Sequence, residues 1–344
     1  MSHNKENTKK ITFSVIMPCY NSEEYVTNAI ESIINQSYPY WELIAINDGS
    51  TDKTLDILNS YADADKRIKI YSKSNGGYVS AVNKGLEKIT GDYFLLLGSD
   101  DKLSEELFKE VYIGAEKKEP DCIAFRTRTV KNGIINQDIE RNTKYYDKAE
   151  MYGTNISKYI NTYPQHAAIF SVRDTSKCYK RKLLGDLRYF GKYGIDADGI
   201  FSMLICHKAT SFCSIPFDGY YWTLRNDSVS AQALSDEKKY DKITNWIQFY
   251  DNLGEMKPDE ITSAEKEYIV YFYNILKNTW KKKSAPLKNY FIVKKGLKTI
   301  KMFEKQNNYR LFPKNESRLF LHMPIIWKLK LYIKSMLKAF FKFK

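Results

Sequence analysis

Ile11-Thr12-Phe13-Ser14-Val15-Ile16-Met17 is an apolar run broken only by a Thr and a Ser, and Pro18-Cys19-Tyr20-Asn21 closes it. Such a run, too short for a core helix and ended by a proline, reads as a strand buried on both faces of a parallel sheet. Helix and strand then alternate along the next eighty residues. Glu23 to Asn35 carries Tyr25, Val26, Ala29, Ile30 and Ile33 at helical spacing. Trp41 to Ile46 is a second buried strand, Thr51 to Tyr61 a helix, and Arg67 to Tyr71 a third strand. Gly77 to Ile89 is again helical, and Tyr93 to Leu97 is a fourth strand. Strand and helix in regular alternation predict an α/β fold, a largely parallel sheet with helices on both faces.

Ligands of such sheets bind beyond the carboxyl ends of the strands. Three polar clusters fall there: Pro18-Cys19-Tyr20-Asn21, Asn47-Asp48-Gly49-Ser50 and Gly98-Ser99-Asp100-Asp101. Carboxylates at that edge suit a hard cation such as Mg²⁺ or Mn²⁺ bridging phosphates. The same residue types also serve as turn residues and helix caps. Three clusters at equivalent strand ends favour a shared site.

From Glu119 to about Ser230 the pattern is more mixed, with a strand at Cys122 to Val130 and a helix at Asp198 to Cys206. Beyond Gln232 the chain is helical and lysine-rich.

Several of these segments resemble family 2 glycosyltransferases. The resemblance rests on Ser14 to Asn21, Glu24-Tyr25-Val26, Ser32 to Tyr38, Asn47-Asp48-Gly49-Ser50-Thr51-Asp52, Asn75-Gly76-Gly77, Asn83-Lys84-Gly85 and Gly91 to Asp101, in family order. It extends over roughly residues 11 to 230. It implies the GT-A fold, a Rossmann-like mixed sheet, and inverting transfer from a nucleotide sugar. With the polar start and the lysine-rich end, the chain is expected to divide into a polar tail (1–10), a transferase domain (11–232) and a helical C-terminal region (233–344). Within the transferase domain, 11–105 would be the nucleotide-sugar-binding half and 106–232 the acceptor half.

Carried over residue by residue, Pro18, Tyr20 and Asp48 would hold the nucleoside of a donor for which the family favours uridine. Asn21, Gly77 and Asn83 would join the donor site. Asp100 would reach a Mn²⁺ or Mg²⁺ ion, in a motif whose usual first Asp is replaced by Gly98. Asn47 likewise replaces the first Asp of the second loop. In Asp196-Ala197-Asp198-Gly199-Ile200-Phe201 the resemblance makes Asp198 the catalytic base, with Ala197 in place of the usual Glu. Ser176 to Leu183 resembles the segment preceding that base, and Tyr220 to Ser230 the closing strand and loop. A placed carboxylate takes the proton of an acceptor hydroxyl, otherwise a poor nucleophile. Arg225, in the closing segment, has the planar fork that grips a diphosphate. His166 receives no function.

Composition bounds the alternatives. Hydrophobic residues are 43% and charged residues 28% of 344, which excludes a disordered chain. Five cysteines without CxxC spacing give neither a disulfide framework nor a zinc cluster, and a reducing compartment is expected. The polar N-terminus is no signal peptide, and no apolar run reaches the roughly 20 residues of a membrane span. A cytoplasmic protein is expected, on the cytosolic face of a membrane.

The formal net charge is +13, concentrated in the last third. Between Met323 and Lys344 there is no acidic residue, and Lys330, Lys334, Lys338 and Lys342 recur every fourth position, largely opposite Ile325, Leu329, Ile333, Met336, Phe340 and Phe343. That is a basic amphipathic helix suited to an anionic membrane surface, and Lys281 to Lys301 would assist it. The alternative is a helix packed on the protein with a solvated lysine face. Nucleic acid is not an expected partner, since no nucleic-acid-binding motif accompanies the charge. A dehydrogenase lacks its Gly-x-Gly-x-x-Gly loop here, and a nucleotidyltransferase its glycine-rich opening loop. The expected partners are a nucleotide-sugar donor and a glycan or lipid-linked acceptor of cell-surface polysaccharide synthesis. A catalytically inactive nucleotide-sugar-binding protein remains the competing reading.

Overall fold

The computed structural model describes residues 10–136 except Lys117 and Asn132, residues 150–153, and residues 174–225 except Tyr193 and Ile195. It also describes Lys238, Asp241, Lys242, Thr244, Asn245, Gln248 and Phe249. The expectations at His166, in the Asn226 to Ser230 loop, at Lys281 to Lys301 and in the Met323 to Lys344 helix lie outside these residues. By internal contacts the chain forms two units, Met1–Leu234 and Ser235–Lys344.

In the first unit the strands are β1 (Phe13–Cys19), β2 (Trp41–Asn47), β3 (Ile68–Ser72), β4 (Tyr93–Leu96) and β5 (Lys102–Leu103). After them come β6 (Cys122–Lys131), β7 (Ile134–Asn136), β8 (Glu150–Tyr152), β9 (Lys177–Lys180) and β10 (Ser211–Thr223). The helices are α1 (Val26–Ile34), α2 (Thr54–Ala64), α3 (Tyr78–Leu86), α4 (Leu107–Glu116) and α5 (Ala197–Lys208). One mixed sheet runs β3-β2-β1-β4-β9-β6-β10-β5, with β7 paired to β6 and β8 to β10. Its first half is parallel, as the alternation predicts. In the second half β9 runs antiparallel to both β4 and β6, so β6 and β10 again point the same way as β4.

The strands are apolar because both faces are covered. Ile16, Ile44, Ile46, Leu96 and Phe94 pack under α3 and α5 on one face. Phe13, Val15, Leu43, Ala45 and Leu95 pack under α1 and α4 on the other. Phe13 is fully buried and stacks on Phe108 at 5.1 Å. Truncating such a ring costs about 3–5 kcal/mol.

Glu42, on fully buried β2, breaks this apolar rule. Ser14 Oγ donates to its carboxylate at 2.6 Å, Lys69 Nζ at 2.7 Å, Thr90 N at 2.6 Å and Thr90 Oγ1 at 2.9 Å. A buried charge persists only when so satisfied. Burial alone would raise its pKa, but Lys69, Ser14 and Thr90 together hold it below the usual glutamate range.

β1 is flanked by β2 on one side and β4 on the other, so chain order reverses between β1 and β4. The crevice outside such a switch point is where α/β sheets bind ligands. The Pro18 to Asn21 and Gly98 to Asp101 loops stand on its two sides.

Candidate active site

The first loop is welded to the second. Asn21 takes a left-handed backbone conformation (φ 47°), which asparagine tolerates better than most residues. Its amide N donates to Ser50 Oγ at 3.1 Å, and its Oδ1 accepts from Thr51 N at 2.9 Å. Ser22 N donates to Thr54 Oγ1 at 2.7 Å, and Glu23 and Lys53 tie the next residues together. Pro18 sits in β1 opposite Ile46. Tyr20 is left 52% exposed at the loop's crest, a free aromatic face above the crevice.

Asp48 lies beneath this loop, its backbone N donating to Cys19 O at 2.8 Å. It is buried, and its carboxylate is already engaged. Oδ1 accepts from Lys73 Nζ at 2.5 Å and Gly76 N at 3.0 Å, while Oδ2 accepts from Gly77 N at 2.7 Å. A carboxylate offers about four lone-pair sites, so one remains for a ligand. Gly77 enters α3 at φ 82°, which a side chain would strain. Asp48 therefore sets the path of the 73–77 loop. Lys73 escaped the sequence reading. It follows the end of β3, a fourth strand end at the same edge, and that position was its available signal.

Neighbouring Asn47 is spent inside the fold, its Oδ1 accepting from Ser50 N at 3.1 Å. Asn83, on α3, has both ends of its carboxamide on one partner. Its Nδ2 donates to Tyr189 O at 3.1 Å and its Oδ1 accepts from Tyr189 N at 2.8 Å.

In the fourth loop the two aspartates diverge. Asp101 turns inward, accepting from Tyr220 Oη at 2.5 Å and Thr223 N at 2.7 Å. Asp100 is partly exposed and pairs with Arg225, Oδ2 to Nη2 at 3.0 Å. Arg225 lies over the Tyr25 ring at 4.4 Å. Two residues far apart in sequence thus meet at one edge. Ser99 reaches back to the first loop, Oγ to Ser22 Oγ at 2.8 Å.

Gly98 is required by close approach. A Cβ there would stand 2.6 Å from Asp101 Oδ2 and 3.0 Å from Asp100 Oδ1. Asp101 Oδ2 thus occupies the space that a side chain at position 98 would take. Among the described residues no group of three or more His, Cys, Asp or Glu side chains could enclose a metal. What remains for a cation is Asp100 alone. A Mg²⁺-type ion held by one carboxylate, waters and a ligand's own phosphates fits that donor set, provided Arg225 yields Asp100.

Asp198 stands in the first turn of α5 rather than capping it. The cap position is Asp196, left-handed at φ 60°. A carboxylate in a first turn is favoured by the helix dipole. Below it is a cluster the sequence reading did not find. Asp174 and Lys177 are both fully buried. Tyr189 Oη donates to Asp174 Oδ2, and the Tyr189 ring stacks on Phe201 of α5 at 4.3 Å. Burial first, and the charge of Asp198 second, hold the Asp174 carboxyl well above its usual range. Burial pulls the Lys177 ammonium down, opposed by Cys206, Asp174, Cys122 and Asp198. Lys177 falls in the Ser176 to Leu183 segment of the resemblance, without a role assigned there, and Asp174 was not singled out; in the fold both share the field of Asp198.

Residues 14–178 match the profile of glycosyl transferase family 2. An uncharacterized glycosyltransferase of Haemophilus influenzae is 49% identical over 94 residues, 27% of this chain and 38% of that protein. The minor teichoic acid biosynthesis protein GgaB of Bacillus subtilis is 30% identical over 252 residues, 70% of this chain and 26% of that protein. The chain thus spans well under half the length of these two relatives. Among solved structures, S. aureus TarS 1-349 in complex with UDP-GlcNAc superposes with a TM-score of 0.69 at 20% identity, covering 94% of this chain and 92% of that one. A mannosyltransferase from Pyrobaculum calidifontis in complex with GDP-Man and Mn²⁺ gives 0.51 at 13% identity, over 96% and 88%. At these identities the structures share the fold, a GT-A architecture.

Proposed function

Residues 14–178 belong to glycosyl transferase family 2, and from that premise we propose that the chain transfers a sugar from a UDP-sugar to a glycan or lipid-linked acceptor of cell-surface polysaccharide, inverting the anomeric centre. The observation that carries this reading is that Asp48 and the Asp100–Arg225 pair lie at the same carboxyl edge of the sheet, after β2 and β4, with Asp198 on α5, which covers one face of that sheet.

Tyr20 offers a stacking face and Asp48 its remaining acceptor site to the nucleoside, between Pro18 and Gly77. Asn21 and Asn83 support the site by fixing the first loop and the Tyr189 backbone. Arg225 meets the diphosphate with its fork. Asp100 would hold a Mn²⁺ or Mg²⁺ ion, which neutralises charge on a leaving diphosphate. Asp198 accepts the proton of the acceptor hydroxyl as that oxygen bonds to the anomeric carbon. The bond from that carbon to the diphosphate breaks, and UDP leaves with the electron pair. One in-line displacement inverts the centre.

Two names among the similar proteins support the substrate classes: TarS was solved with UDP-GlcNAc, and GgaB is named for minor teichoic acid biosynthesis. No helix among the described residues is long and apolar enough to cross a membrane. Peripheral attachment through the basic Met323 to Lys344 segment would bring the enzyme to a lipid-linked acceptor on the cytosolic face.

The test is a panel of UDP-, GDP- and dTDP-sugars, with released nucleoside diphosphate as the readout. Turnover of a UDP-sugar, lost in Asp198→Asn, is expected. Failure of every donor to bind would overturn the reading.

A further inference from the structure

Arg126 lies on β6 in the acceptor half of the sheet, and its position relative to Asp198 follows from the packing. Cys122 and Ala124 belong to the core under α3 and α5, Ile123 and Phe125 to the opposite one. Strand alternation therefore puts Arg126 on the α5 face. At the far end of α5, Cys206 Sγ lies 4.0 Å from Cys122 Sγ. From Cys206 back to Asp198 the helix rises about 12 Å. From Cys122 on to Arg126 the strand advances about 13 Å. Asp198 and Arg126 thus stand at the same height along the sheet and on the same side of it, at the edge where the donor loops open.

Arg126 is half-buried, and its Nε is sealed from solvent without a hydrogen-bond partner. Among the described residues its side chain makes no hydrogen bond or ion pair. Its register partner across β10 is Asp218, in a stretch where the pairing is bulged. That carboxylate instead takes Arg128 Nε at 2.8 Å. Arg128, two positions along, shares the face of Arg126. Asp218 thus pairs with Arg128 and leaves Arg126 Nε without a partner. A buried donor left without a partner is costly unless a ligand's acceptor completes it. A guanidinium presents its donors as a fork matched to phosphate or carboxylate.

We propose that Arg126 anchors an acceptor subsite for an oxyanion, a phosphate or carboxylate carried on the acceptor chain beside the hydroxyl that Asp198 deprotonates. This rests on the glycosyltransferase reading and narrows its acceptor to an anionic polymer. Such a subsite reads one repeat's charge to place the next hydroxyl, and the net charge of +13 draws an anionic chain toward the protein.

The test uses the full chain saturated with UDP, so that the diphosphate site is filled. A short glycerol-phosphate oligomer, a short hexuronate oligomer and a neutral glucose oligomer are titrated by saturation-transfer NMR. Saturable binding of one or both anionic oligomers is expected, and which one binds identifies the oxyanion. In R126Q that affinity should fall at least about tenfold, the value of a charge-assisted hydrogen bond, with UDP affinity unchanged. R126K, which keeps the charge and loses the fork, should lie between and covers the case in which R126Q does not fold. Anionic binding that R126Q leaves intact overturns the proposal, as does the absence of any anionic binding to UDP-loaded protein. A chain that does not bind UDP at all brings down the glycosyltransferase reading first, and the subsite with it.

Discussion

Arg225 Nη2 lies 3.0 Å from Asp100 Oδ2, so the carboxylate proposed to reach a cation is paired with an arginine. A cation that binds Asp100 through Oδ2 would compete with that guanidinium, and on the proposed reading the released Arg225 would meet the diphosphate. The two ligands of the edge, cation and donor, are thereby linked through one ion pair. EDTA is expected to abolish turnover and Mn²⁺ or Mg²⁺ to restore it, with Asp100→Asn losing that restoration. Full activity in EDTA would mean that Arg225 alone neutralises the leaving group.

Asp48 is expected to contribute a charge-assisted hydrogen bond to the nucleoside. Asp48→Ala should weaken UDP binding by about 1.5–3 kcal/mol by calorimetry. Because the carboxylate also holds Lys73 and the Gly76 and Gly77 amides, Lys73→Met is the matched control. That variant keeps the acceptor and removes the ion pair. Unchanged UDP affinity in a folded Asp48→Ala protein would remove Asp48 from the donor site.

For Asp198 the expectation is a split between binding and chemistry. Asp198→Asn should retain UDP binding while transfer falls by ~10²–10⁴. The transfer product should carry the anomeric configuration opposite to the donor's by NMR. A retained configuration would rule out single displacement.

Glu42 makes acid stability a readout of the central strands. Its carboxyl is held below the ordinary range in the folded state, so its stabilisation is complete above the unfolded pKa of about 4.3. It is lost as pH falls below that value toward the lower folded pKa. Glu42→Gln should cost about 1–3 kcal/mol at neutral pH and flatten the acid limb of the stability curve below about pH 4.3. Urea melts of both proteins across pH 3 to 7 provide the comparison; parallel acid limbs would show that Glu42 is not the titrating group.

The C-terminal segment is expected to carry membrane attachment. Each lysine near an anionic surface contributes about 1 kcal/mol, and Phe340 and Phe343 add apolar burial. Full-length protein should co-sediment with anionic and not with neutral liposomes, while truncation after Pro313 abolishes this and leaves UDP binding intact. Sedimentation of the truncated protein would locate the attachment elsewhere.

Sequence by itself determined the alternating strands and helices of the first half. Apolar runs such as Phe13 to Met17 and Trp41 to Ile46 can be satisfied only between two covering layers. It also placed the polar clusters at their carboxyl ends, because a strand's direction fixes which loop comes after it. Short local patterns therefore placed Asp48 and Asp100 just beyond strand ends, and the helix that carries Asp198 within two residues at either end. Only the tertiary structure decided what those carboxylates touch. Asp48 with Lys73, Asp100 with Arg225, Asp101 with Tyr220, and Tyr189 with both Asn83 and Asp174 join residues from different elements. Such pairings depend on strand order and register, which no local pattern encodes. The departure at Gly98 is the clearest instance. In the sequence it is a missing ligand. In the fold it is the space into which Asp101 turns, a distinction that rests on a 2.6 Å approach. Arg126 differs in kind: it is one basic residue among many until the sheet sets it level with Asp198 and the burial of its Nε leaves a donor for a ligand to meet.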